Sequence, residues 1–352
     1  GLDVPREASS RPRPSTELYD ILESAASWYQ QQLRDSDEGI AYLKQRGVSG
    51  EIARDFGIGF APSGWDRLIG HLGTEEKSLG MLRRTGMLSQ GKSGEYDKFR
   101  HRIMFPIHDR RGRVIAFGGR ALDDDGPKYL NSPETELFHK GRELYGLYMA
   151  RRSQARLDRI LVVEGYMDVV ALAQFGFRNC VATLGTATTG DHAELLFRAS
   201  DEVIYCFDGD RAGRTAAWRA LEATLPRLRD GRQARFLFLP EGEDPDSMVR
   251  KEGQEGFSSL LDSAQPLSEF FFEHFTAQVD MGDGQRTRKS TLSQYHSTSA
   301  RQMCRGPRPG ADDGSGANSG SSSQRRQISR STTWFCYGIR DYVYCWWTTV
   351  SY

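Results

Sequence analysis

The chain has 352 residues, 47 Lys and Arg against 47 Asp and Glu, and 38% hydrophobic residues. That length suits two or three domains with packed cores, and no stretch approaches the roughly 18 uninterrupted apolar residues of a membrane helix, so no membrane partner is expected. The neutral total is uneven: residues 1–284 hold 37 basic against 44 acidic side chains, while 285–352 hold nine Arg and one Lys against three Asp, so nucleic-acid binding by the body would need a local basic concentration.

Residues 1–17 read as a linker. Pro, Ser and Arg dominate up to Ser15, and the apolar stretch of a secretory signal is missing. Leu18, Ile21, Leu22, Ala25, Ala26, Tyr29 and Leu33 recur at helical spacing. A second helix stops at Gly47, and a short third starts at Ser49. "WDRLIGHLG" and "EEKSLGMLRRTGML" continue the pattern, so the first ninety residues or so are expected to be mainly helical.

The character changes at Tyr96. Arg102–Ile107 and Val114–Phe117 read as the strands of a hairpin turning at Asp109–Gly112. From Gly91 to Arg120 there are eight Lys and Arg against three Asp and Glu, the local basic concentration sought. Gly118 and Gly119 suit either close approach of backbone to nucleic acid or a plain turn.

From Arg159 strands alternate with helices: "RILVVEG", "NCVATLG", "EVIYCFDGD" and "ARFLFLP" are short continuous apolar runs. Such runs mark strands buried on both faces, hence a parallel sheet flanked by helices. Gly185 and Thr186 read as a strand-to-helix turn, and Trp218 as a core residue on a long amphipathic helix. Leu260–Val279 reads as helix. The segment 285–352 is Gly, Ser and Arg-rich at first and shows no helical periodicity, so it is expected to be disordered or aberrant, as an out-of-register reading would be. The five cysteines form no CxxC pair and are odd in number, which argues against zinc in this chain and for a reducing cytoplasmic setting.

Ligands gather at the carboxyl ends of strands in open parallel sheets. Three such ends carry acids: Glu164, with Asp168 one turn on; Asp208 and Asp210; and Asp244 and Asp246. Each D-x-D pair, read as extended, points both carboxylates the same way. Carboxylates so close raise one another's pKa unless a cation sits among them. Oxygen donors select Mg²⁺ or Mn²⁺, and two such ions suit in-line phosphoryl displacement.

"VVEGYMDVVALAQFG", "LGTATT", "CFDGDRAGRTAAWRAL" and "LPEGEDPDS" resemble the toprim domain of DnaG-type bacterial DNA primases. "FRHRIMFPIHDRRGRVIAFGGRAL", "PKYLNSPETELFHKGRELYGL" and "YLKQRGVSGEIARDFGIGFAPSGWD" look like the basic subdomain specific to that family. The resemblance covers roughly Leu18 to Asp283. It implies an α+β subdomain with a basic ridge over 18–150, a toprim subdomain of α/β type over 151–255, and the start of a helical subdomain over 256–284. The implied activity is DNA-templated synthesis of short RNA primers from NTPs during replication.

The resemblance also implies roles. Glu164, Asp208 and Asp210 are the catalytic metal-holding carboxylates, with Asp168, Asp244 and Asp246 completing the cluster around two Mg²⁺ or Mn²⁺ ions. Lys128, Tyr129 and Lys140 lie near the NTP and the initiating complex. Arg46, Arg100, Arg102 and Arg120 guide the template. The implied partners are single-stranded DNA, NTPs, the RNA–DNA primer duplex, the replicative helicase in the full-length protein and single-strand-binding protein, with a monomeric core in the bacterial cytoplasm at the replication fork. The family's Cys/His zinc domain and helicase-binding domain have no match here. Toprim modules also serve nucleases and topoisomerases, and a non-catalytic DNA-binding module is the alternative from another class.

Overall fold

The computed structural model describes residues 16–123, 126–154, 156–278, 332–339 and 342–349. Helix α1 (Thr16–Arg34) begins inside the stretch expected to be linker, and it buries the predicted stripe Leu18, Ile21, Leu22, Ala25, Ala26, Tyr29 and Leu33. Helix α2 (Asp37–Gln45) is capped by Ser36 and stops before Gly47, whose left-handed φ of 59° is open to glycine. Ser49 caps α3 (Gly50–Asp55) by accepting the Ile52 N–H. Strand β1 (Gly59–Ala61) and helices α4 (Arg67–Leu72) and α5 (Glu76–Arg84) follow.

The mainly helical stretch ends at Arg84: β2 (Leu88–Gly91) and β3 (Gly94–Asp97) pair as an antiparallel hairpin that the sequence expectation does not contain. These strands lack apolar alternation, and the two-residue turn between two glycines is what makes them. Strands β4 (Arg102–His108) and β5 (Val114–Ala121) form the predicted hairpin, longer at both ends, in an antiparallel sheet of order β1-β4-β5-β6 with β6 (Tyr129–Asn131). At its turn the Asp109 carboxylate accepts the Arg111 and Arg113 N–H groups and pairs with the Arg113 guanidinium. Six consecutive β4 residues are buried because both faces are covered. Met104 joins the cluster containing Leu22 and Tyr29 of α1, while Ile103, Phe105 and Ile107 join the cluster of the second sheet.

The second sheet follows α6 (Leu147–Ser153). Its order is β11-β10-β9-β7-β8, made of β7 (Arg159–Val163), β8 (Cys180–Ala182), β9 (Glu202–Phe207), β10 (Gln233–Phe238) and β11 (Gln265–Pro266). The first four named strands are parallel and β11 is antiparallel, as the expected mixed α+β and α/β class requires. Alternate residues of β7 face opposite clusters: Leu161 and Val163 lie with α7 (Tyr166–Gln174) and α10 (Pro245–Asp262), and Ile160 and Val162 with α8 (Gly190–Ala199), α9 (Arg211–Thr224) and α11 (Leu267–Gln278). The cluster that holds Ile103 and Phe105 also holds Val163 and Leu261, so the two sheets share one core.

Two helices differ from expectation. The acidic "PEGEDPDS" stretch opens α10, with Asp244 as N-cap and Pro245 at the first position, and Gly253 (φ 70°) interrupts that helix. The helix expected over Leu260–Val279 is broken after Asp262 and restarts at Leu267. In the 285–352 segment, expected to be disordered or aberrant, two strands are described. β12 (Thr332–Ile339) and β13 (Tyr342–Thr349) pair antiparallel in a separate unit, with Ile339 opposite Tyr342. Both strands are dense in aromatic and β-branched residues, which favour extended backbone. The remainder of that segment and residues 1–15 lie outside the described residues.

Candidate active site

The sheet order makes β7, β9 and β10 neighbours, so their carboxyl ends lie side by side. Glu164 follows β7 directly and is exposed; Asp208 follows β9 and is half-buried. Asp168 sits in the first turn of α7, where its Oδ2 accepts the Gly165 N–H at 3.0 Å. The extended geometry expected for Asp244 and Asp246 does not form, because Asp246 lies inside α10, while Asp210 keeps extended backbone at the start of α9. Asp210 is the N-cap of α9, accepting the Gly213 N–H at 2.6 Å, and Asp244 is the N-cap of α10, accepting the Ser247 N–H at 2.6 Å. Helix starts claim these residues because a short side-chain oxygen satisfies the free N–H groups of a first turn.

Glycines shape the β9–α9 turn. A β-carbon on Gly209 would run into the Leu239 carbonyl oxygen at the end of β10, and one on Gly213 into the Asp208 carbonyl. The D-G-D-x-x-G spacing therefore packs the Asp208 loop against the neighbouring strand end.

The carboxylates repel one another. Although its side chain reaches solvent, Glu164 is raised above the usual range by partial loss of hydration, then by Asp208 and Asp210. Asp208 is raised by burial, then by Asp244 and Asp210. Asp168 is pushed up to about 7 by burial, then by Asp244, Asp246 and Asp208. Among the described residues no three His, Cys, Asp or Glu side chains form a ready ion cage. The cluster is electrostatically coupled rather than preassembled, and its hard oxygen donors and uncompensated charge fit a divalent cation.

Asp246 stands apart. It is 3% exposed, Arg46 Nη2 reaches its Oδ2 at 2.6 Å, and Arg250 Nε reaches its Oδ1 at 2.7 Å. Arg46, expected on the template path, is thus turned to this carboxylate.

The other expected basic residues separate. Arg102 is buried and donates to the Pro127 carbonyl at 2.8 Å, which takes it out of an exposed ridge. Arg120 lies over the rings of Tyr129 (5.1 Å) and Tyr42 (5.8 Å). Its Nε, the Arg46 Nε and the Tyr42 hydroxyl are buried without hydrogen-bond partners. Arg100 lies over Trp65 (4.3 Å) and Tyr96 (4.9 Å), and Trp65 is 63% exposed. Lys128 is exposed beside half-buried Tyr129. Lys140 sits on a 3₁₀ turn whose carbonyl accepts from His192 Nε2 at 2.8 Å. Lys98 is lowered by burial and then by Lys140, which puts two cations near each other. Trp65, Lys98 and Arg250 were not singled out by sequence.

Gly118 and Gly119 serve interior packing: β-carbons there would lie 2.5 Å from the Tyr166 ring and 2.9 Å from Phe99. Trp218 packs on α11, stacked with His274 at 3.8 Å, as expected of a core residue. Thr189, four residues past left-handed Gly185, caps α8. Cys180 and Cys206 are buried free thiols. Among the described residues no helix is long and apolar enough to cross a membrane.

Residues 28–151 match the family described as DNA primase catalytic core, N-terminal domain, and residues 161–249 match the one described as Toprim-like. The chain is 57% identical over 291 residues to a DNA primase of Pseudomonas putida, a match that takes in 80% of this chain and 44% of that relative, so the chain spans less than half its length. A solved DnaG catalytic core is 55% identical, with a TM-score of 0.73 over 78% of this chain and 89% of that one. A DnaG primase catalytic domain bound to ssDNA is 54% identical, with a TM-score of 0.73 over 78% of this chain and 90% of that one.

Proposed function

The chain belongs to the DnaG primase catalytic-core family, whose toprim domain implies use of divalent metal, and we propose that it synthesises short RNA primers from NTPs on single-stranded DNA. The observation that carries this reading is the placement of Glu164 and Asp208 at the carboxyl ends of neighbouring parallel strands, with Asp244 at the start of α10 and Asp168 raised to about 7 by burial and then by Asp244, Asp246 and Asp208.

Glu164, Asp208 and Asp210 are the proposed holders of Mg²⁺ or Mn²⁺, with Asp168 and Asp244 beside them. Divalent ions held there would supply Lewis-acid stabilisation of the charge that develops during phosphoryl transfer. The chain's own groups do the rest. Arg120, with a buried unpartnered Nε, and Lys128 offer donors to phosphate oxygens, and Tyr129 flanks them. Lys140, fixed by His192, faces the same task for an initiating nucleotide. Trp65 and Arg100 form an aromatic and cationic platform of the kind that holds unstacked bases and backbone, so they are the proposed template contacts. A related catalytic domain solved with ssDNA bound supports template binding by a core of this kind. The proposed setting is the bacterial cytoplasm, with the helicase and single-strand-binding protein engaged through the longer protein.

The test is incubation of the chain with a single-stranded template, the four NTPs and Mg²⁺ or Mn²⁺. Short, template-complementary RNA is the expected product. Template binding with no nucleotide incorporation at any metal concentration would replace the enzyme by a DNA-binding module.

A further inference from the structure

Asp246 has the position of a cluster carboxylate but different surroundings. Both of its oxygens are taken by guanidinium groups, one from each of two elements: Arg46 at the end of α2 at 2.6 Å, and Arg250 one turn on in α10 at 2.7 Å. Arg250 also donates through Nη2 to the Arg46 carbonyl, which closes a ring of Asp246, Arg250 and Arg46. The seat for Arg250 is Gly47, where any side chain would collide with the guanidinium. A carboxylate 3% exposed with a guanidinium on each oxygen already has its charge balanced, so a cation gains less there than beside an unpaired carboxylate. Asp244, two residues before it, has no such partner among the described residues; its oxygen is spent on the Ser247 N–H that starts the same helix.

We propose that Asp246 is the centre of a clasp rather than a metal ligand, and that Arg250 and Arg46 are positioning residues that set Asp244 against Asp208 through the first turn of α10. This rests on the metal-dependent reading of the site given above. The clasp joins α2, which belongs to the basic half of the core, to the helix that carries one wall of the acidic cluster. A surface salt bridge contributes little by itself, but this one is buried on the carboxylate side, where losing one partner leaves a charge uncompensated.

Calorimetric titration with Mn²⁺ of the wild-type chain, Arg250→Met, Asp246→Asn and Asp208→Asn tests it, with thermal unfolding run in parallel. Arg250→Met removes a positive charge near a cation site, so charge alone would tighten Mn²⁺ binding; the clasp predicts binding weaker by roughly tenfold, the effect of losing an outer support of a metal site, at unchanged stoichiometry. Asp246→Asn keeps the stoichiometry as well. Tighter or unchanged affinity in Arg250→Met overturns the positioning role. Loss of an ion in Asp246→Asn overturns the clasp, since Asp246 is then a ligand. If Asp246→Asn does not fold, Arg250→Met decides alone, because its side chain is partly exposed. If wild type binds no Mn²⁺, or Asp208→Asn binds as wild type does, the metal-dependent reading itself fails and the clasp falls with it.

Discussion

Gly209 lies so close to Leu239 that a β-carbon would strike the Leu239 carbonyl oxygen at the end of the neighbouring strand. The D-G-D sequence is therefore a packing device as well as an acidic one: it seats the Asp208 turn on β10 and brings the strand ends together. Gly209→Ala must push the turn outward. The expected cost is about 1–3 kcal/mol, as for overpacked sites, read from denaturant unfolding, with at least a tenfold loss of primer synthesis under conditions where the chain is fully folded. Wild-type synthesis by that variant would mean that the seating of Asp208 is immaterial.

Asp168 sets a pH dependence. Burial, then Asp244, Asp246 and Asp208, raise it to about 7 in the folded chain, against about 3.9 for an unfolded Asp. The folded state holds that proton more tightly, so the group's stabilisation is complete below the unfolded value and is lost as pH rises through about 7. The ion-free chain is thus expected to carry a growing penalty from this group between pH 5 and 8. A divalent cation relieves it, and must displace the proton at low pH. Melting temperatures with and without Mg²⁺ at pH 5.5 and 8 check this: the shift on adding Mg²⁺ is larger at pH 8. Equal shifts at both values would contradict it.

Trp65 is 63% exposed and leans edge-on to Tyr96 beneath the Arg100 guanidinium. Its burial contributes little, so Trp65→Ala should change stability by only about 0.5 kcal/mol. Stacking with a base is worth about 1–3 kcal/mol, so affinity for a single-stranded oligonucleotide should fall roughly fivefold or more, measured by fluorescence anisotropy at fixed salt. Arg100→Gln should weaken binding too and reduce its salt dependence.

Gly118 faces the Tyr166 ring across the shared core, with room for no β-carbon. Gly118→Ala is expected to destabilise by about 1–3 kcal/mol and to leave oligonucleotide affinity per folded molecule unchanged. Lower affinity in a fully folded variant would restore the alternative in which backbone meets nucleic acid at this point.

The stripe of α1, the parallel sheet and the acids at its strand ends are legible in the sequence because each follows from a local rule: helical spacing, a short apolar run, a polar residue where the run stops. Hairpin β2–β3 is not legible, because its strands are polar and a two-residue turn makes them. Helix α10 is hidden for the reverse reason: Pro and two Asp look like a loop until the Asp244 cap reveals a helix start. The partition of the acids is equally invisible. Asp244 and Asp246 look alike in the sequence, and only the fold brings Arg46 from 200 residues away to one of them. Arg102 shows the same limit: a basic strand residue in a basic block turns inward to a backbone carbonyl.

Primer synthesis by Glu164→Gln and Asp208→Asn, compared with wild type on one single-stranded template with NTPs and Mg²⁺ or Mn²⁺, tests the central claim most directly. Both substitutions preserve shape and remove a charge from a strand end. The expected result is loss of RNA product by a factor of at least about 100, on the scale of interactions made only in the transition state, with template affinity nearly unchanged. Wild-type amounts of RNA from either variant would contradict the assignment of catalysis to these strand ends.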